Sequence, residues 1–295
     1  MIVLTKDLIL KIINNDNYLF NYFGKVNKIE LLSLSENVVY LISGEKNRGI
    51  AKIGYRGWNK IEFENHKKLY KYNYPVAKPL KYIPIQGNIL ENWGWGNLKR
   101  ELGILFCDYI EGKSMDKSVD KKIIIKAIKL LKKIHLDERL RDKNIKNYHD
   151  IEIDRGKSYI NILNANLRSK ILDDMESYRN IPLNLTFIHG GARIEHFICS
   201  YDKISLIDLE ASSMGDPFKD IVYFFIDLLM NQIYSKEFLN IYFDNKLTSN
   251  EIKRLNFFTI RQLLIKVKYG TTPEIKEKSI KFLKLKEPVK ILGVD

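Results

Sequence analysis

The chain has 295 residues, 45% hydrophobic and 29% charged, a balance that fits a folded globular protein with a sizeable core and excludes a disordered or fibrous one. Its 49 Lys and Arg against 36 Asp and Glu give a formal charge of +13, but the lysines are scattered and no dense basic block or zinc-finger spacing occurs, so nucleic acid is the weakest partner class. Two cysteines, Cys107 and Cys199, exclude a disulfide framework; with no secretion-signal pattern and no apolar run near the roughly 20 residues of a membrane span, they point to a cytoplasmic protein with no membrane segment.

The first 85 residues read mainly as strands around one helix: "IELLSLSENVVYLIS", "GIAKIGY", and then helical "KIEFENHKKLYKYN" before Pro75. A Gly, Asn and Trp-rich loop follows, "IPIQGNILENWGWGNLKRE", in which Trp93 and Trp95 either stack on a ligand or pin the loop to the front of the molecule. An apolar strand, "LGILFCDYI", leads to "EGKSM". The period then becomes helical: Ile124, Ala127, Ile128, Leu131 and Ile134 form one apolar stripe with lysines opposite. A second helix is expected from Tyr159 to Arg179, then short strands "LTFIHG", "HFICS" and "ISLIDLE", and mostly helix from Phe218 to Leu285. The fold class is α+β, with a strand-rich front and a helix-rich back meeting near residue 107.

His189-Gly190, His196, Asp208-Leu209-Glu210 and Gly215-Asp216-Pro217 with Asp220 fall in order over about 30 residues. This ordered set resembles the aminoglycoside phosphotransferase and choline kinase superfamily, whose pattern is a His-Gly-Asp loop, an Asn five residues after that Asp, an Ile-Asp-x-Glu strand end and Gly-Asp-Pro-x-x-Asp. The resemblance implies a two-lobed protein-kinase-like fold, with a small N-terminal sheet lobe for nucleotide (1–106) and a larger, mostly helical catalytic and substrate lobe (107–295). It also implies ATP or another nucleoside triphosphate, Mg²⁺, and a small molecule offering a hydroxyl.

By the same resemblance, Ser35 and Asn37 belong to the nucleotide loop, Lys52 neutralises the α- and β-phosphates, and Glu62, rather than Glu64, holds Lys52 in an ion pair. Backbone groups of Asp108 and Tyr109 meet the adenine edge. Asp208 is the principal metal ligand, and His196 stands where the family usually has the Asn that serves as second ligand. Asp216 and Asp220 order the loop and cap the helix beginning near Phe218. His135 and His189 are read as packing residues that hydrogen-bond.

Gly191 is the departure. It occupies the place of the Asp that orients the acceptor hydroxyl and takes its proton, which glycine cannot do. Three explanations compete: a displaced carboxylate from Glu195 or Glu210, a pseudokinase that binds nucleotide or a protein partner, or an inactivating substitution in this chain. General-base catalysis is worth roughly 10²–10⁴ in rate, so its loss weakens turnover without forbidding it. Asp150, Glu152, Asp154, Asp173, Asp174 and Glu176 either meet a cationic acceptor or form a solvated helix face.

Overall fold

The chain opens with two helices that the strand-dominated reading of its first 85 residues did not anticipate, α1 (Ile2–Asn15) and α2 (Asn17–Phe23). Their cause is visible in the spacing. Ile9 and Ile13, and Leu19 and Phe23, are i,i+4 pairs that bury fully, and Asp16 caps α2 by accepting from Leu19 N at 3.0 Å. The structure, a computed structural model, describes residues 2–34, 37–85, 102–117, 120–142, 147–201, 203–244 and 246–294. Ser35, Trp93 and Trp95 lie outside the described residues.

After the two helices come β1 (Val26–Leu34), β2 (Val38–Gly44), β3 (Arg48–Tyr55), α3 (Arg56–Lys71), β4 (Pro79–Ile85), β5 (Leu102–Asp108) and β6 (Lys113–Ser114). The chain continues with α4 (Lys121–Leu136), α5 (Tyr148–Lys157), α6 (Ala165–Glu176), β7 (Thr186–Ile188), β8 (Phe197–Ser200), β9 (Lys203–Leu206) and β10 (Ser213–Gly215). It ends with α7 (Phe218–Met230), α8 (Glu237–Tyr242), α9 (Ser249–Tyr269) and α10 (Pro273–Leu283). Chain contacts divide it into two compact units, Met1–Lys113 with Ile198–Ser212, and Ser114–Phe197 with Ser213–Asp295.

The first unit is built on an antiparallel sheet of order β1-β2-β3-β5-β4. One core joins Ile9, Ile13, Leu19 and Phe23 of α1 and α2 to Tyr40, Ile42, Ala51, Ile53, Ile104 and Phe106 of the central strands. The sequence reading did not assign β4 as a strand because Pro79 and Pro84 interrupt it. It sits at the sheet edge, where a missing N–H leaves no central ladder bond unmade. Asn59 of α3 is fully buried and donates to Lys52 O at 3.0 Å and Gly103 O at 2.9 Å, fixing the helix to β3 and β5.

The second unit is mainly helical. The stripe foreseen on α4 is buried throughout, and Asp120 caps the helix by accepting from Lys122 N at 2.8 Å. The helix expected from Tyr159 starts later, at Ala165, where Asn164 accepts from Leu167 N at 3.0 Å; residues 160–162 form a 3-10 turn and α5 precedes it. Helix α9 opens with a capping box between Thr248 and Glu251 and packs on α6, α7 and α10. Tyr178 stacks flat on its Phe257, with ring centroids 4.0 Å apart. Among the described residues no helix is long and apolar enough to cross a membrane.

Asn59→Ala removes both staples and opens a void against two strand carbonyls. It is expected to destabilise the protein by about 1–3 kcal/mol, measured as a lower denaturant midpoint with an unchanged slope.

Candidate functional site

In the first unit, three carboxylates from two separate segments converge on the amine of a third. Strand β3 presents Lys52, helix α3 presents Glu62, and the turn after β9 presents Asp208 and Glu210. Lys52 Nζ lies 2.7 Å from Glu62, 2.6 Å from Asp208 and 3.0 Å from Glu210, with only 10% of its side chain exposed. Burial alone would discharge the lysine, but Glu62, Asp208 and Glu210 outweigh it and hold the amine well above the ordinary lysine range. Glu62 titrates lower than usual: burial works against its charge, but Lys52 and then His66 overcome it. Glu64, by contrast, is exposed and pairs with Lys67 at 3.1 Å.

The turn is held in place by α3, whose Asn65 donates to Leu209 O and Ser212 O, both at 2.9 Å. Nothing in the sequence motif marked Asn65, although it lies three residues beyond Glu62 on the same helix face. Asp208 itself adopts a left-handed backbone, φ 63 and ψ 59, which is strained for a residue other than glycine and is maintained by this framework. Asn37 donates to Glu210 at 3.1 Å, bringing the end of the β1–β2 connection to the same carboxylate. Burial pushes the Glu210 carboxyl up despite Lys52.

At the end of β5, Asp108 N donates to Lys78 O at 3.0 Å and Tyr109 N to Arg48 O at 3.2 Å. The N–H groups of the two residues whose backbone was expected to meet an adenine edge are therefore used within the chain. The Asp108 carboxylate accepts from Lys78 N, and the Arg48 guanidinium lies over the Tyr109 ring at 4.2 Å.

In the second unit, Asp220 on the first turn of α7 organises the loop that follows β7. Its fully buried carboxylate accepts from His189 N at 2.6 Å, from Gly190 N at 2.8 Å and from His135 Nε2 at 3.0 Å. Gly190 has φ 85, a conformation that favours glycine, and this is what lets two successive N–H groups point at one anion. Burial opposes the Asp220 charge, but His135 and His189 hold the carboxyl below its usual range. Asp216 takes a separate set: Arg254 at 2.9 and 2.6 Å, Tyr178 Oη at 3.0 Å and Phe218 N at 3.0 Å.

Further along the loop, His196 Nδ1 lies 2.9 Å from Gly191 O. A carbonyl only accepts, so Nδ1 carries the proton in the neutral ring. The His189 and His196 rings stack at 5.3 Å. Gly191 has open space where a side chain would go, with nothing within 4 Å of an added Cβ. Glu195 pairs with Arg193 at 3.0 Å and stands 3.9 Å from His196 Nε2; burial raises its carboxyl, with Arg193 opposing. The loop thus brings Gly191, Glu195 and His196 together, and the first unit brings Asn37, Lys52, Glu62, Asp208 and Glu210 together. Most of the acidic residues considered for a cationic acceptor are paired internally, Asp150 and Glu176 with Arg179, Glu152 with Arg155, and Asp174 with Lys170.

The model of the phosphotransferase enzyme family matches residues 29–254. Solved structures share the fold over nearly the whole chain. An amicoumacin kinase in complex with AMP-PNP, Ca²⁺ and Ami superposes with a TM-score of 0.67 at 13% identity, covering 99% of this chain and 92% of that one. Choline kinase LicA from Streptococcus pneumoniae gives 0.61 at 18% identity, covering 98% and 99%. A choline/ethanolamine kinase family protein from Mesorhizobium loti gives 0.64 at 14% identity, covering 98% of each chain. Among curated proteins none matches the chain by sequence.

Asp220→Asn turns an acceptor towards two N–H donors into a group that must also find acceptors. The expected cost is about 3 kcal/mol at pH 7. Because the folded carboxyl lies below its unfolded value, its stabilisation is fully present above about pH 4 and fades as pH falls through the folded value. Urea midpoints of the parent should drop on acidification below about pH 4 more than those of Asp220→Asn.

Proposed function

Because this chain belongs to the phosphotransferase enzyme family, we propose that it transfers the γ-phosphate of ATP, with Mg²⁺, to a hydroxyl of a small acceptor such as an antibiotic, amino alcohol or sugar. The observation that carries this reading is the buried Lys52 amine bound at once by Glu62, Asp208 and Glu210. Such an ensemble has little use as a stability device, since isolated buried ion pairs roughly break even with apolar packing. As a phosphate site it is apt: lysine supplies the positive charge that a triphosphate needs, and Glu62 keeps it aimed.

Residues 1–106 would form the nucleotide lobe and 107–295 the acceptor lobe. Asn37, with Ser35 beside it in sequence, would close the nucleotide loop, and Asp108 and Tyr109 would lead into the adenine-facing segment. The donor set also fits a hard divalent cation: Glu62, Asp208 and Glu210 offer carboxylate oxygens within 4.8 Å of one another. Asp208 would be the principal ligand of Mg²⁺. When bound, that ion would neutralise phosphate charge.

Gly191 leaves the acceptor hydroxyl without the usual carboxylate. We assign the stand-in role to Glu195, which shares the loop and whose proton affinity is raised by burial; Glu210 is already engaged by Lys52 and Asn37. A second reading, a pseudokinase that binds nucleotide without turnover, is favoured by Gly191 alone.

A thermal melt separates nucleotide binding from its absence. ATP with Mg²⁺ at about 100 times its dissociation constant should stabilise by roughly 2.7 kcal/mol, several degrees for a chain of this size, and Asp208→Ala should lose the Mg²⁺-dependent part. No shift at millimolar nucleotide would remove the kinase reading.

Phosphate transfer then decides between enzyme and pseudokinase. Gly191→Asp, for which the structure has room, should raise turnover by roughly 10²–10⁴. Glu195→Gln should lower the parent's turnover at least tenfold yet barely affect Gly191→Asp. A parent with no turnover on any acceptor that binds, restored by Gly191→Asp, would establish the pseudokinase reading.

A further inference from the structure

Helices α5, α7 and α9 enclose a second cluster of buried charge that the proposed phosphoryl transfer does not use. At its centre is Glu152, 1% exposed. Arg155 Nη1 donates to Glu152 Oε1 at 2.8 Å, Arg261 Nη1 lies 2.8 Å from Oε2, and Lys219 Nζ stands 3.6 Å from Oε1. Arg261 is 5% exposed and Lys219 7%. The Arg261 contact lacks hydrogen-bond alignment, and its buried Nε has no acceptor among the described residues.

Charge is the difficulty. One carboxylate faces three cations, of which Arg155 is exposed and solvated while Lys219 and Arg261 are buried, so two buried cations share one buried carboxylate. Glu152 is itself held below the usual carboxylate range, burial being overcome by Arg261 and Lys219, so it is fully ionised and has no more charge to give. The cost falls on Lys219, pushed down to about 8 by burial first and by repulsion from Arg261 and Arg155, with Glu152 and Asp220 opposing. The other groups near enough to act on the Arg261 charge are Tyr223, Tyr148 and Tyr159, which carry no negative charge at neutral pH. Buried cations in proteins are matched by an anion or shift towards neutrality; here Glu152 is shared among three cations, and Asp220, which also acts on Lys219, is engaged by His135 and two backbone N–H groups.

We propose that this cluster binds a small tetrahedral dianion of the sulfate or hydrogen phosphate class, accepted by Lys219 Nζ and Arg261 Nε while Glu152 keeps Arg261 in place. A dianion supplies the acceptor that Arg261 Nε lacks among the described residues, and both donors would form charge-assisted hydrogen bonds with its oxygens. Lys219 immediately precedes Asp220, whose carboxylate holds the N–H groups of His189 and Gly190, so a filled site braces the turn that orders that loop. The proposal does not depend on the acceptor or on turnover.

The test is a set of thermal melts of the full chain carrying Lys52→Ala, which removes the other phosphate-seeking amine. Sodium sulfate is titrated against sodium chloride at matched ionic strength. Sulfate also stabilises proteins generally by exclusion from their surfaces, but that effect neither saturates nor depends on one side chain. The expected result is a saturable sulfate-specific rise in midpoint, with at least tenfold weaker apparent affinity in Lys219→Met. In Glu152→Gln, where the positive excess grows, apparent sulfate affinity should instead tighten severalfold, which keeps the proposal open to failure even if Lys219→Met does not fold. Equal responses to sulfate and chloride would overturn the proposal, as would a sulfate response that neither variant alters.

Discussion

The Asp220 carboxylate is the constraint on which the second unit's loop depends. It is fully buried and its charge is met by two backbone N–H groups and an imidazole. Such a charge cannot be left half-satisfied, because an unpaired buried anion costs far more than the few kcal/mol by which a domain is stable. The positions of His189 and Gly190 therefore follow from the position of α7. From Gly190 onward the loop has little freedom: Arg193 N returns to Gly191 O at 2.8 Å and His196 N to Arg193 O at 3.0 Å. The residues assigned to chemistry sit on a loop anchored by a residue that does none.

The two units carry buried clusters of opposite imbalance. Around Lys52, three carboxylates face one amine, leaving two negative charges in excess. Around Glu152, three cations face one carboxylate. A fold under selection for stability alone would balance or remove such charges, since apolar residues of similar volume do as well or better. An imbalance that persists is best understood as half of an interaction, completed by a ligand of opposite sign. The first cluster offers carboxylates of the kind that suit a divalent cation, and the second offers cationic donors of the kind that suit an anion.

Most of the first cluster was legible in the sequence because motif spacing records it directly. Lys52 on a strand, Glu62 on the following helix and Asp208 at a strand end fall at the spacing of the family pattern. Asn65 and Asn59 were not legible, since a helix asparagine that bonds distant carbonyls looks like any surface asparagine. The N-terminal helices were missed for a different reason: Asn and β-branched residues dilute helix propensity, and the deciding factor is burial of Ile9, Ile13, Leu19 and Phe23 against strands not yet formed. Strand β4 was obscured by Pro79 and Pro84, tolerable only at an edge. The Glu152 cluster joins three helices far apart in sequence, and no local pattern reports which lysine will be buried beside which arginine.

Gly191 separates two tasks that a catalytic loop ordinarily combines. Its own side chain is absent, yet the carbonyl still accepts from His196 Nδ1 and from Arg193 N, so the loop's internal bonds do not need a carboxylate at this position. The proton-accepting task is therefore removable without loss of shape. In phosphoryl transfer this is the task that matters least: the transition state is loose, its charge lies on the phosphoryl oxygens, and positioning with electrostatic neutralisation supplies most of the rate. A loop without a carboxylate at position 191 still keeps its internal bonds, and the ion pairs of Lys52 in the first unit do not involve it. The retention of Lys52, Glu62 and Asp208 is then consistent with a slow kinase as readily as with a nucleotide-binding scaffold, and the distinction rests on how well a hydroxyl is held and not on whether phosphate is.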